Sequence, residues 1–207
     1  MKNILAPADP CLADTALYNT PSGAALFAAI GGHYATPAQA VFELLDNAIA
    51  STLAVIEVGE ILIRVKEDGE FVEFSVSDNG EGIADLGAAL TISKCSGLTP
   101  YNEHGCGLKS ALSYFCNGDG MWSLESRTAT DAARNRYRCV MSPYLAIDGT
   151  MHAGFYEGQG NIDHETGTCV RIRCARSKLE GLKPATKRTQ VGFRQLVAYL
   201  EEEVAYT

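Results

Sequence analysis

Basic residues are scarce in this sequence. Its 17 lysines and arginines stand against 25 aspartates and glutamates, which gives a formal net charge of −8. Binding to nucleic-acid phosphates needs clustered lysine and arginine side chains, so this balance argues against a large nucleic-acid interface on the chain itself. The most basic stretch, KRTQVGFR at 187–194, is interpreted as the solvated start of a helix.

Regularly spaced cysteines and long hydrophobic runs are also missing. The seven cysteines form no C-x-x-C pair, which excludes the common zinc motifs and a disulfide framework and indicates a reducing compartment. No stretch approaches the length of a membrane span, and the start of the chain does not resemble a signal peptide. We therefore expect an intracellular, cytoplasmic protein, nuclear if its host is eukaryotic, with no membrane partner.

Repeats, low-complexity segments and linkers rich in proline or glycine are absent as well. A chain of 207 residues, 46% of them hydrophobic, can build one large core. Residues 1–20, which contain Pro7 and Pro10, are predicted to be an irregular N-terminal arm. Residues 21–207 are predicted to be a single domain.

Two helices are predicted early in the chain. Residues 22–34 favour a short helix that ends at Gly31–Gly32. Thr36 then has the position of a helix cap and Pro37 that of a first helical residue, so a longer helix is expected to follow.

Strands are predicted from alternating apolar residues. The segment 60–78 predicts a β-hairpin that turns at Asp68–Gly69. Further strands are predicted around 121–128, 134–141 and 168–174, and an amphipathic helix at about 189–204. This order favours a layer of helices on one antiparallel or mixed sheet.

Polar residues interrupt the longer predicted helix in FELLDNAIAS (42–51). Glu43 and Asn47 are four residues apart, so their side chains share one face of the helix. A helix that only served the core would favour leucine or alanine at these positions. The pair therefore predicts a polar site beside the apolar face.

Two glycine-rich segments follow the hairpin. DNGEGI (78–83) begins where the strand alternation ends, and its glycines would let a ligand approach the backbone. HGCGLKS (104–110) opens a helix, where free N–H groups suit a phosphate. Taken alone, the first is more often a simple turn, and the second matches neither the dinucleotide fingerprint nor the Walker loop.

The three motifs in this order resemble the GHKL ATPase superfamily, which includes DNA gyrase B, the ninety-kilodalton heat-shock chaperone, MutL, histidine kinases and MORC proteins. The resemblance covers about residues 22–175. It implies the Bergerat fold, an α/β (α+β) two-layer sandwich whose mixed, mostly antiparallel sheet is covered by helices on one face. MORC-type ATPases are the most similar, because residues 105–110 read G-x-G-L-K-S as theirs do and Ser93–Lys94 resembles an upstream element.

The resemblance implies a role for each motif residue. Glu43 would be the general base that polarises the attacking water, and Asn47 would be an oxygen ligand of Mg²⁺ at the ATP phosphates. Asp78 would accept a hydrogen bond from the exocyclic amine of adenine, with Thr168 supporting it through water. The other nucleotide-contacting residues implied are Gly80, Gly82, Lys94, Gly105, Cys106, Gly107, Leu108 and Lys109.

The implied function is Mg²⁺-dependent hydrolysis of ATP to ADP. Residues 85–106 would form a lid that closes on the γ-phosphate, and the arm would contribute to a homodimer formed on ATP binding. In a MORC-like protein the switch would serve a DNA, chromatin or DNA-defence machine, with DNA contacted by the full-length protein. The alternatives are an ATP-binding switch without significant turnover, histidine-kinase-like phosphotransfer, and an inert scaffold with coincidental motifs.

Two features depart from the family pattern. Ala50 stands where many members carry an aspartate, so a water or nucleotide contact is missing or supplied elsewhere. Gyrase, MutL and MORC proteins also bring a catalytic lysine from a following transducer domain, for which residues up to 207 leave no room. Either the sequence is a fragment of a longer protein, which is the interpretation we favour, or the domain binds ATP and hydrolyses it poorly by itself.

Overall fold

The computed structural model describes residues 10–11, 20–23, 29–32, 34, 36–53, 59–91, 106–116, 120–141, 150–151 and 154–179. The strands in these ranges are β1 (Pro10–Cys11), β2 (Thr20–Gly23), β3 (Ile61–Asp68), β4 (Phe71–Asp78), β5 (Met121–Arg127), β6 (Arg136–Met141), β7 (Thr150–Met151), β8 (Gly154–Gln159) and β9 (Gly167–Ala175). The helices with both ends in these ranges are α1 (Pro37–Thr52), α2 (Leu86–Leu90), α3 (Gly107–Cys116) and α4 (Ala129–Ala133), with a 3-10 turn at Arg176–Leu179. Residues 29–31 are the described end of an earlier helix.

Helix α1 begins where the sequence predicts it. Thr36 accepts a hydrogen bond from the Gln39 N–H, and the Gln39 side chain accepts one from the Thr36 N–H. This reciprocal capping box satisfies two backbone donors that the helix leaves unpaired. Its apolar spacing places one face in the core, where the buried side chains include Val41, Leu44, Leu45 and Ala48.

The predicted hairpin forms β3 and β4, which pair along their full length. Its turn lies one residue later than predicted, at Gly69–Glu70, because Asp68 itself pairs with Phe71. Gly69 has a φ of 60°, a left-handed conformation that glycine adopts without steric cost.

Seven of the described strands form one sheet in the order β1-β8-β6-β5-β9-β4-β3, and every neighbouring pair in it is antiparallel. A separate two-stranded sheet joins β2 and β7. Helices α1 and α3 pack on the face of the large sheet that carries Phe74, and the rings of Phe74 and Phe115 meet edge-on at 5.0 Å. The predicted two-layer α/β sandwich is confirmed.

Several predictions of local structure differ from the observed elements. Strand β8 was not predicted, and Pro10–Cys11 pairs with it although residues 1–20 were expected to be irregular. The early helix was expected from residue 22, but residues 22–23 belong to β2; its end at Gly31–Gly32 is confirmed. The predicted helix at 189–204, with the remainder of the arm, lies outside the described residues. Within the described ranges, no helix is both long and apolar enough to span a membrane.

The opposite face of the sheet carries a partly buried network of charged side chains. Arg171 on β9 donates to Glu125 on the adjacent strand, at 3.2 and 3.3 Å. Asp163 lies between Arg171 and Arg64; although burial acts to raise its pKa, the hydrogen bond from Arg64 and both positive charges lower it. These ion pairs tie the loop at 160–166 to the sheet, next to the end of β4.

Candidate functional site

Glu43 and Asn47 lie together on α1, half-buried, at the edge of its apolar face. The Asn47 side-chain amide donates to the backbone carbonyl of Glu43, one helical turn earlier. This bond uses the donor end of the amide, so the carbonyl oxygen Oδ1 is the end that can serve a ligand.

The Glu43 carboxylate lies against the first residue of α3. A Cβ atom on Gly107 would overlap Glu43 Oε2, so only glycine allows this approach. Burial raises the pKa of Glu43, and the charge of Asp46 raises it further, whereas a hydrogen bond from Tyr34 lowers it. A carboxylate with a raised pKa is better matched to proton transfer near neutral pH.

Asp78 ends strand β4 and is 4% exposed. Its Oδ1 accepts hydrogen bonds from Ser51 Oγ at 2.8 Å and from the Gly80 N–H at 2.9 Å. The backbone N–H of Thr168, its partner on β9, also donates to the carboxyl group. Burial raises the pKa of Asp78, and these three donors oppose that change. Since a carboxylate offers about four acceptor positions, the donors among the described residues leave one for a ligand.

The glycines around Asp78 permit close approaches between chain segments. Gly82 has a φ of 73°, and a Cβ there would lie 2.6 Å from the Arg127 carbonyl oxygen. Gly80 has no positive φ; its lack of a side chain admits Ser51, whose hydroxyl a Cβ would overlap. Of the two glycines in DNGEGI, only Gly82 has a positive φ.

Two residues outside the motifs hold the glycine loop that follows Asp78. Ser126 Oγ accepts from the Ile83 N–H at 2.6 Å. Arg138 donates to the carbonyls of Ile83 and Ala84, both at 2.7 Å, and pairs with buried Asp131 at 2.9 Å. The loop therefore keeps its shape through side chains from β5 and β6.

Replacing Arg138 with methionine should weaken this loop. The variant keeps an unbranched apolar side chain but loses charged hydrogen bonds, each of which contributes about 1.5–3 kcal/mol. We expect a lower melting temperature by calorimetry and a weaker affinity for ATP by titration. Arg134→Met, at an exposed position beside α4, is the matched control and should change neither quantity. Equal losses in both variants would show that the effect is general rather than local.

The second glycine motif opens α3 as predicted, since the helix begins at Gly107. Cys106 precedes it, half-buried, and its carbonyl accepts from the Ser110 N–H at 2.9 Å. Leu108 packs against the core and Lys109 is 5% exposed, so Lys109 is not a plain surface lysine. Gly105 and Lys94, with most of the predicted lid, lie outside the described residues.

The donor set at α1 fits a magnesium ion that phosphates help to hold. Within the described ranges, no three His, Cys, Asp or Glu side chains gather in a group able to hold a metal ion alone. Mg²⁺ typically takes only one or two protein ligands when phosphate oxygens and waters complete its shell. The orientation of Asn47, with its amide donor engaged and Oδ1 at the other end, matches that requirement.

Sequence reasoning missed Ser51 and Tyr34. Ser51 follows Asn47 by four residues on α1, so the spacing could have placed it at the site. Ser51 donates a hydrogen bond to Asp78. It directly follows Ala50, the position at which this sequence departs from the family pattern. Tyr34 precedes the helix cap, and no local pattern connects it to Glu43.

Asp78 connects the end of β4 to helix α1. Its buried carboxylate is held by the Ser51 hydroxyl and by two backbone N–H groups, next to the helix that carries Glu43 and Asn47, as expected of a nucleotide-binding α/β domain. Residues 32–131 match the family described as "Histidine kinase-, DNA gyrase B-, and HSP90-like ATPase". These residues belong to the GHKL ATPase superfamily and form an ATP-binding type of domain. No significant match was found among curated proteins.

Proposed function

We propose that this domain binds ATP with Mg²⁺ and hydrolyses it to ADP and phosphate. The observation that carries the proposal is the hydrogen bonding of Asp78. Within the part of the chain that the structure describes, three donors occupy the carboxyl group and one acceptor position is left. The exocyclic amine of adenine would donate to that position. Guanine presents a carbonyl oxygen there, and two acceptors facing each other in a buried site cost about 1–3 kcal/mol.

Hydrolysis would proceed by in-line attack of water on the γ-phosphorus. A bond forms between the water oxygen and phosphorus, the bond to the β–γ bridging oxygen breaks, and ADP leaves. Glu43 takes the proton of the attacking water; its position against the start of α3 places it beside N–H groups suited to phosphate. Bound Mg²⁺, with Asn47 as one ligand, would offset negative charge on the phosphates.

The domain would act as a switch. Residues 85–106 would close over the γ-phosphate and open after hydrolysis, and the arm at 1–20 would help two copies to pair. The similarity of residues 105–110 to MORC-type ATPases favours a place in a DNA, chromatin or DNA-defence machine. A following transducer domain would then supply a catalytic lysine, and turnover by residues 21–207 alone would be slow.

Steady-state release of phosphate tests the proposal. The chain should release phosphate from ATP at a rate proportional to its concentration, and chelation of Mg²⁺ should stop the release. Binding of ATP without release would overturn the hydrolysis step and favour the nucleotide-sensing switch. If ATP neither binds nor raises the melting temperature, the whole proposal fails; at a hundredfold excess over Kd, a ligand adds about 2.7 kcal/mol to stability.

Pairing of two copies is tested separately by light scattering. We expect twice the monomer mass with a non-hydrolysable ATP analogue and Mg²⁺, and the monomer mass with ADP. The reason is that only a triphosphate offers the γ-phosphate on which the lid would close. A monomer mass with both nucleotides would rule out this part of the proposal.

A further inference from the structure

Tyr34 lies two residues before the cap of α1, and its side chain is half-buried. Its hydroxyl forms hydrogen bonds with the carboxylate of Glu43 and with the hydroxyl of Ser110 on α3. Burial raises the pKa of Tyr34 to about 12, and the nearby charge of Glu43 contributes to this shift. The phenol therefore keeps its proton at neutral pH.

The directions of the two hydrogen bonds follow from the groups involved. An ionised carboxylate can only accept, so the phenol donates its proton to Glu43. The phenol has only one proton to donate, so the Ser110 hydroxyl donates to the phenol oxygen. Ser110, Tyr34 and Glu43 thus form a chain of donors that ends on the carboxylate.

Helix α3 holds the ring of Tyr34 as well. The ring of Tyr114, one turn after Ser110, meets the ring of Tyr34 edge-on, with centroids 6.1 Å apart. Tyr114 in turn packs edge-on against Phe115 at 5.1 Å. The helix that fixes Tyr34 is also the one whose first residue, Gly107, lies against Glu43. The carboxylate is therefore held from two sides by groups that depend on α3.

We propose that Tyr34 is the positioning residue for Glu43, and that its hydroxyl, oriented by Ser110, keeps the carboxylate in one orientation against the start of α3. The inference rests on the proposed function in that Glu43 acts there as the base. Tyr34 does not touch the phosphates in this scheme, so its loss should change the chemical step and leave ATP binding intact.

Tyr34→Phe tests the proposal, because it removes the hydroxyl and keeps the ring that packs on Tyr114. A hydrogen bond to a charged group is lost, and the chemical step should slow by about tenfold or more with KM unchanged. Ser110→Ala should act in the same direction with a smaller effect.

A second measurement does not depend on turnover. In crystals of the protein without nucleotide, the position of the Glu43 carboxylate can be compared between wild type and variants. The carboxylate should leave its place against Gly107 in Tyr34→Phe and keep it in Tyr114→Phe. An unchanged position in Tyr34→Phe would overturn the inference even if turnover fell. If wild-type protein releases no phosphate, the proposed function fails while this comparison still decides the role of Tyr34.

Discussion

Glu43→Gln should lower the rate of ATP hydrolysis by about 10²–10⁴-fold, the usual contribution of a general base. Glutamine has nearly the same shape but cannot take the proton of the attacking water. Affinity for ATP should change little, because in the proposed scheme the purine binds at Asp78, on a different element. Phosphate release and equilibrium titration with ATP, measured on the same preparation, separate the two effects.

The melting temperature of Glu43→Gln shows whether the variant has lost only the catalytic base or has also lost its folded structure. The pKa of Glu43 is raised in the folded protein by burial and by Asp46, so its ionised form opposes folding at neutral pH. The stabilising effect of this group is present at low pH and is lost as pH rises through its folded pKa. Glu43→Gln should therefore have a higher melting temperature than wild type at pH 7, with the gap closing as pH falls.

Asp46→Asn is the matched control for this variant. Asp46 is half-buried on the same helix, three residues further on. Its charge raises the pKa of Glu43, so removing it should move the acidic limb of the pH–rate profile to lower pH and keep turnover at neutral pH. A loss as large as that of Glu43→Gln would mean that the base has been assigned to the wrong carboxylate.

Asp78→Asn should weaken ATP binding by roughly 5- to 160-fold, the equivalent of about 1–3 kcal/mol for a mismatched buried polar group. The hydroxyl of Ser51 and the N–H of Gly80 both donate to one oxygen of Asp78. In the variant these donors would orient the amide so that its oxygen faces them. Its NH₂ group would then face the exocyclic amine of adenine, donor against donor.

The same orientation predicts a change of base preference. Inosine triphosphate presents a carbonyl oxygen where ATP presents an amine, so it should bind Asp78→Asn relatively better than it binds wild type. Asp68→Asn, at the exposed tip of the hairpin, makes the same chemical change and should bind ATP as wild type does. If Asp78→Asn binds ATP normally, Asp78 does not read the base.

Local chemistry made much of the fold and some of the site predictable. Thr36 and Pro37 indicate the start of α1, because a capping box joins residues three apart and proline favours the first helical position. The hairpin follows from its alternation, although its turn moved by one residue because Asp68 extends the strand. Glu43 and Asn47 could be grouped from helical spacing alone. A role for Asp78 could be predicted only from the order of the three motifs along the chain.

Contacts between distant segments could not be predicted in this way. Arg138 reaches the loop after Asp78 from β6, and Tyr34 reaches Glu43 from before the helix cap; neither has a spacing that signals its role. Strand β8 was missed because its apolar alternation is weak. It contains Gly158, over which the ring of Tyr137 packs closely. Such features depend on which strands become neighbours in the sheet.

Calorimetric titration of the wild-type chain with ATP and with GTP, each with Mg²⁺, tests the central claim most directly. If the last acceptor position on Asp78 receives the amine of adenine, ATP should bind and GTP should bind roughly 5- to 160-fold more weakly, as the mismatch energy requires. Equal affinities for the two nucleotides, or no binding of either, would contradict the account.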